Sequence, residues 1–383
     1  MKQMKIAILA NDTTYTYNLR GELIRQLLDR GEEILVAGRV LSFREELIRM
    51  GCRLADVDTG RHGKNPLQDL RLLKTYVALL KKEQPDVVLS FNIKPNIYGG
   101  MACRHLKIRF LPNITGLGKA LEYPGMMQKL TKRLYRIGIA GAECVFFQNR
   151  ENRRFFEKNR LLKPRTKTVL LPGSGVDLER FSPLPYPKGK TTHFLFVSRL
   201  LKEKGIDLYL EAARVITERY PDTVFHICGG CDDRRYQKIV SQAVSDGYVR
   251  YHGEQKSVRP FYEMAHCIVH PSYYPEGMSN VLLEAAASAR PVITTERSGC
   301  AETVDDGKSG YLIPVQNQAA LVDAIERFLK LGRDGQEQMG LMGRKKAEGE
   351  FDRRLVAGKY IQMITRDDGE GEEVRQFWTI KGS

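Results

Sequence analysis

Short runs rich in β-branched and aromatic residues alternate with longer stretches of helical periodicity from one end of the chain to the other, and no other feature restricts the fold so tightly. In the first half the runs are Ile6–Ala10, Ile34–Gly38, Val87–Phe91, Arg109–Pro112, Cys144–Phe147 and Thr168–Leu171. In the second they are His193–Val197, Val224–Cys228, Ile268–His270, Pro291–Thr295 and Tyr311–Pro314. Strands separated by helical segments of about ten or more residues do not close as hairpins; each crossover brings the chain back parallel to a neighbouring strand. A chain of 383 residues is too long for one ordinary core, and the Pro- and Gly-rich stretch SPLPYPKGK, Ser182–Lys190, divides it. The expectation is an α/β protein of two doubly wound domains, residues 1–182 and 183–350. A helix near 351–366 can pack back on the first domain, and a tail runs over 367–383.

Apolar runs fall well short of the ~20 residues that cross a bilayer, which excludes a spanning helix. The start, MKQMKIAILAND, reads as a first strand rather than a secretory signal, so the chain is expected in the cytoplasm. Seven scattered cysteines in mostly apolar contexts argue for reduced, buried thiols. Cys228 and Cys231 form a CxxC pair, but with no second pair and no histidines at finger spacing they read as packing around a glycine turn. Charge is more telling. Residues 1–170 carry 32 Lys and Arg against 16 Asp and Glu, a net +16, whereas the remainder has 29 against 30, a net −1. A basic half attracts something anionic: nucleic acid, a phosphorylated substrate or an anionic membrane face.

Three stretches of the second half carry candidate chemistry. In FVSRLLKEKGIDLYLEA a strand ends at Ser198, and Arg199 and Lys204 flank the turn before the next helix, where the ligands of open α/β sheets bind. A guanidinium and an ammonium there suit a diphosphate, although a solvated basic loop reads the same way. HICGGCDD places Gly229 and Gly230 after a strand, either an ordinary turn or one that lets a ligand approach the backbone. In YYPEGMSNVLLEAAASARPVITT, Glu276 precedes an apolar run and Glu284 lies inside it. If Ser279–Ala289 is helix, the amides of Gly277, Met278, Ser279 and Asn280 form an anion-attracting start, and the two carboxylates sit up to about 12 Å apart. That separation matches the distance from hexose to ribose in a nucleotide sugar; singly, each acid also fits an ordinary ion pair.

Together these stretches resemble the signature of GT-B glycosyltransferases of family 4. PEGMSNVLLEAAASARPVITTERSGCAETVDDGKSGYLIPV carries that family's E-x7-E pair, LPGSGVDLERFSP its segment before the linker, and SRLLKEKG its diphosphate clamp. The resemblance implies two Rossmann-like domains facing across a cleft, acceptor site in the first and donor site in the second. It implies retaining transfer from a UDP-sugar, with Glu276, Arg199 and Lys204 as catalytic residues and no metal or other cofactor. Gly229, Gly230, Gly277, Met278, Ser279, Asn280 and Glu284 would bind the donor. SFNIKPNIYGGMACR, LPNITGLGKALE and YTYNLRGELIRQLLDRGEE resemble the branch that elongates undecaprenyl-diphosphate-linked saccharides, which implies acceptor contacts from Asn18, Arg20, Lys94, Asn96, Asn113 and Thr115. Relatives often carry a histidine where this chain has Ile114, which leaves that contact to Thr115, Asn113 or Lys94. Two further departures are Ala301, where an arginine is frequent, and NDTTYTYN in place of a Gly-Gly turn. DVD, Asp56–Asp58, matches the metal motif of the other glycosyltransferase fold but reads here as a strand end and turn.

In PGMMQKLTKRLYRIGI, Met126, Met127, Leu130, Leu134 and Ile137 recur at helical spacing while Lys129, Lys132, Arg133 and Arg136 fill the other face. This pattern fits an interfacial helix or a core-facing helix with a basic solvent face. With the +16 half it suggests peripheral attachment to the cytoplasmic face of an inner membrane. Two alternative functions remain open. A basic nucleic-acid-binding protein explains the charge but neither Glu276 nor Glu284, and lacks a binding motif. A GT-B sugar-nucleotide epimerase explains the donor site but needs no basic amphipathic segment.

Overall fold

The computed structural model describes residues 3–60 and 66–366, so the expected tail over 367–383 lies outside the described residues. Two parallel sheets form. The first contains β1 (Lys5–Asp12), β2 (Glu33–Arg39), β3 (Arg53–Asp56), β4 (Val87–Phe91), β5 (Arg109–Ile114), β6 (Cys144–Phe147) and β7 (Lys167–Leu170), in the order β3-β2-β1-β4-β5-β6-β7. The second contains β8 (Thr192–Val197), β9 (Thr223–Cys228), β10 (Val249–Tyr251), β11 (Cys267–His270), β12 (Val292–Thr295) and β13 (Gly310–Ile313), in the order β10-β9-β8-β11-β12-β13. In each sheet the winding reverses beside the first strand, between β1 and β4 and between β8 and β11, where a doubly wound sheet opens its ligand crevice.

Strand β1 shows why the apolar runs are continuous rather than alternating. Ile6 and Ile8 pack under the Thr13–Asp29 and Arg353–Thr365 helices, whereas Ala7 and Leu9 join the core on the opposite face with Leu72 and Tyr76 of the Pro66–Glu83 helix. A strand covered on both sides has no face left for polar residues. Two strands escape the sequence pattern, β3 (RLAD) and β10 (VRY). Both are short sheet edges with polar residues in solvent, so the apolar signal is weak.

No helix or multi-residue strand lies between Leu170 and Thr192, as expected of the linker region, but its parts attach to different places. From Leu184 onward it is strapped to the second domain by the fully buried Arg290, which donates to the carbonyls of Leu184 and Pro185 at 3.1 and 2.7 Å. The crossing itself is a double strand: the Val176 amide donates to Phe351 O at 2.7 Å, and the Arg353 amide to Val176 O at 3.0 Å. After this return crossing, Val356, Ala357, Tyr360, Ile361 and Ile364 bury into the first domain's core.

Candidate functional site

The carboxyl ends of β1, β4, β8 and β11 converge on an open cleft of about 1020 Å³ between the domains. Of the expected residues, Lys94 and Thr115 line its first-domain wall, and Arg199, Gly230, Glu276, Gly277, Met278 and Asn280 its second. On the cleft wall Glu276 ion-pairs with Lys204, which is not itself among the lining residues; both are largely buried, and the Lys204 ammonium also lies 4.9 Å from the centre of the Tyr274 ring. Burial pushes that ammonium down to about 8, with Cys300 opposing the fall and the neighbouring Arg199 guanidinium adding to it. Arg199 is exposed on the cleft wall with its guanidinium directed to no protein carboxylate among the described residues. One carboxylate, one compensated cation and one uncompensated cation at strand ends can hold a hydroxylated, anionic ligand.

Other expected positions behave differently. Ser279 is not a free anion donor, since its amide donates to Gly299 O at 2.7 Å and its hydroxyl meets His270 Nε2 at 3.3 Å. Gly229 lies behind the cleft wall: a Cβ on it would stand 1.7 Å from Ser198 O, so only glycine lets the turns after β8 and β9 pass. Glu284 is absent from the lining of the cleft; its Oε2 accepts from Tyr262 Oη at 3.2 Å, and burial pushes its carboxyl up to about 7.

On the acceptor side three assignments are corrected, because their side chains are inside the core. Arg20 is 1% exposed and stacks 4.2 Å from the centre of the Phe91 ring. Asn96 accepts from Ser90 Oγ at 2.6 Å and donates to Asn113 O at 2.8 Å, and Asn113 in turn donates to Tyr360 Oη. These two asparagines tie β4 and β5 to the helix that returns from the second domain, a structural use of polar groups that must be paired when buried. Asn18 sits at the domain boundary, accepting from Arg180 Nη1 at 3.4 Å. Ile114 is fully buried in β5, so of the three proposed substitutes for the family's histidine, Thr115 and Lys94 reach the cleft and Asn113 does not. Lys94 is held by Asp69 at 3.1 Å.

Several lining residues lay outside the sequence reading, among them Tyr15, Gln148, Ser174 and Tyr274. Their signal was slight, as single polar or aromatic residues at strand ends. The domains also meet through an ion pair of Glu122 with Arg297 at 2.6 Å. Asp58 closes a turn by accepting from the Gly60 amide at 2.9 Å, in keeping with the turn reading of DVD. Among the described residues no group of three or more His, Cys, Asp or Glu side chains is arranged to hold a metal ion, Cys228 and Cys231 are free thiols, and no helix is long and apolar enough to cross a membrane.

Comparison with known proteins agrees with this architecture. Residues 5–149 match the family model described as glycosyl transferase 4-like, and residues 181–346 that of glycosyl transferases group 1. The N,N'-diacetylbacillosaminyl-diphospho-undecaprenol alpha-1,3-N-acetylgalactosaminyltransferase of Campylobacter jejuni is 24% identical over 95% of this chain and 99% of its own. The UDP-Gal:alpha-D-GlcNAc-diphosphoundecaprenol alpha-1,3-galactosyltransferase of Escherichia coli is 26% identical over 68% of this chain and 70% of its own. Among solved structures, Anabaena HepE in complex with UDP and glucose superposes with a TM-score of 0.78 at 15% identity, covering 95% of this chain and 100% of that one. With both halves matched to glycosyltransferase families and the whole to their two-domain architecture, the chain belongs to the family 4 glycosyltransferases of GT-B fold.

Proposed function

We propose that the protein transfers a hexosyl or N-acetylhexosaminyl group, with retention, from a UDP-sugar to a polyprenyl-diphosphate-linked saccharide during surface polysaccharide or glycan assembly. The observation that carries this reading is the Glu276–Lys204 pair beside Arg199, facing Lys94 and Thr115 across the cleft. In the free enzyme Glu276 compensates the Lys204 charge. When the donor enters, its diphosphate takes that role with Arg199, and Glu276 accepts hydrogen bonds from sugar hydroxyls. Fixed cations then stabilise the departing UDP, so the proposal requires no metal. The acceptor oxygen bonds to the anomeric carbon on the face that the diphosphate leaves, and the acceptor's proton passes to the leaving phosphate oxygen. Glu276 positions the sugar in this scheme; a double displacement would instead require a carboxylate nucleophile at the anomeric carbon. Glu284, beyond the lining of the cleft, is assigned to the ribose hydroxyls. The names of the two undecaprenol-linked relatives support the acceptor class.

The acceptor is a lipid, and we assign the enzyme to the cytoplasmic face of the inner membrane as a peripheral protein. The Met126–Gly138 helix supports this. It seats Thr131, Tyr135 and Gly138 on the core and exposes Met126 (87%) and Leu130 (50%) together with Lys129 and Arg133. The sequence pattern joined Leu134, Lys132 and Arg136 to these faces, but Leu134 turns toward the core, Lys132 bonds Gln128, and Arg136 donates to the carbonyls of Asn159 and Arg160.

A panel of UDP-sugars with lipid-linked disaccharide acceptors, read by product NMR, tests the proposal. An α-linked product from an α-linked donor is expected. Glu276→Ala should keep the fold and lose at least ~10-fold in kcat/KM, since hydrogen bonds to a charged acceptor contribute ~1.5–3 kcal/mol. Turnover of UDP-sugar to an isomer without any acceptor would replace transfer by epimerisation.

A further inference from the structure

We infer that Asn149 is a positioning residue that latches the first domain onto the loop carrying Glu276. Asn149 follows β6 and is 3% exposed. Its Oδ1 accepts from the Asn152 amide at 2.7 Å and so caps the Arg150–Lys158 helix, while its Nδ2 donates to Glu276 O at 3.1 Å and Gly277 O at 2.6 Å. Only a carboxamide uses both ends of its side chain in this way, one as acceptor within its own domain and the other as donor to two carbonyls of the other domain. The contact is close-packed as well. A Cβ on Gly277 would stand 2.3 Å from Gln148 Oε1 and 2.5 Å from Thr115 O, so the Glu276 loop fits against the first domain only because position 277 is glycine.

The consequence follows from where the carbonyls lie. They belong to the peptide units on either side of Gly277, directly after the carboxylate that meets Lys204. When the domains are clasped, Asn149 fixes the backbone from which Glu276 projects. When the cleft opens to admit donor or release UDP, both bonds break and the loop loses that restraint. Closure and alignment of Glu276 are thereby one event. The inference rests on the reading that Glu276 contacts the donor sugar, and it adds a residue from the acceptor domain to the control of that contact.

Asn149→Asp and Asn149→Ser separate the two roles, because both side chains can still cap the helix but an ionised carboxylate cannot donate and a serine hydroxyl is too short to reach both carbonyls. The expected result for either variant is a folded protein that melts somewhat lower, more so for Asn149→Asp, whose buried carboxylate faces two carbonyls, with UDP affinity within about twofold of the parent and kcat reduced roughly 10-fold or more with little change in the KM for UDP-sugar. If Asn149 acts through Glu276, the double variant Asn149→Asp with Glu276→Ala should be no slower than Glu276→Ala alone. A kcat within twofold of the parent in both single variants overturns the latch. Multiplicative losses in the double variant overturn it as well, since Asn149 would then act by another route. Full activity of Glu276→Ala removes the premise instead, and is read from that variant alone.

Discussion

Glu284 shows at the level of one residue how a buried acid costs stability. Burial lifts its carboxyl from an ordinary 4.5 to about 7, against the opposing pull of the Tyr262 hydroxyl and the Arg180 and Arg353 guanidinium groups. A folded-state value above the unfolded one means that the group costs nothing below about pH 4.5 and penalises the fold increasingly as pH rises through 7. A tenfold difference in proton affinity corresponds to about 1.4 kcal/mol, so the penalty at pH 8 is on the order of 3 kcal/mol. Glu284→Gln should therefore melt higher than the parent at pH 8 and close to it at pH 5, while binding UDP more weakly if the ribose assignment is right. Calorimetry with and without UDP at both pH values checks each half separately; equal melting at pH 8 would show that the carboxylate carries no such penalty. The sequence identified Glu284 by its place in an apolar run, but not its partner Tyr262, which lies in another helix.

At the scale of elements, the second sheet carries a row of imidazoles that nothing in the linear pattern announced. His193 Nδ1 meets His226 Nε2 at 3.0 Å, His226 Nδ1 meets His252 Nε2 at 3.0 Å, and His266 Nδ1 accepts from the His193 amide at 3.0 Å. The row crosses β10, β9, β8 and the start of β11, so residues far apart in sequence are neighbours only because those strands pair. Burial holds the His226 and His266 imidazoles down at about 3, with neighbouring imidazoles and arginines adding to the effect. Their folded values lie below the unfolded value near 6.5, so their contribution to stability is present above 6.5 and is lost as pH falls toward 3. Each contributes about 1.4 kcal/mol per pH unit over that window. Glu284 gains stability over the same interval, so the histidines are read in the Glu284→Gln variant, whose melting temperature should fall between pH 7 and 5 and whose slope His226→Gln should flatten. Equal melting of Glu284→Gln at pH 7 and 5 would contradict this. Edge strands β3 and β10 make a related point: their short polar runs became strands because a neighbour supplied a hydrogen-bonding edge.

Across the whole molecule, the net +16 of residues 1–170 and the exposed Met126, Leu130, Lys129 and Arg133 lie on the same domain. Changing Lys129 and Arg133 to Gln should weaken binding to anionic vesicles by ~2 kcal/mol at low salt and by less at high salt, because each cation contributes about 1 kcal/mol and is screened. Activity on a long-chain lipid acceptor should fall with it, and activity on a short soluble analogue should not. Vesicle sedimentation unchanged from the parent would mean that the helix does not dock. The alternation of strands with helices and the two parallel sheets were legible in the sequence, apart from the edge strands β3 and β10, because they depend on local periodicity. Arg199, Lys204 and Glu276 stood out there as residue types at strand ends, but the pairing of Lys204 with Glu276 is a tertiary contact. Tertiary structure decided which polar residues face the cleft and which are buried. Asn96, Asn113 and Arg20 read as ligand contacts and became core, since their hydrogen-bond and stacking partners, Tyr360 and Phe91 among them, arrive from elsewhere in the chain. Asn149, unremarkable in sequence, became a bridge for the same reason: its partners lie 127 and 128 residues away, and only closure of one domain on the other brings them within reach.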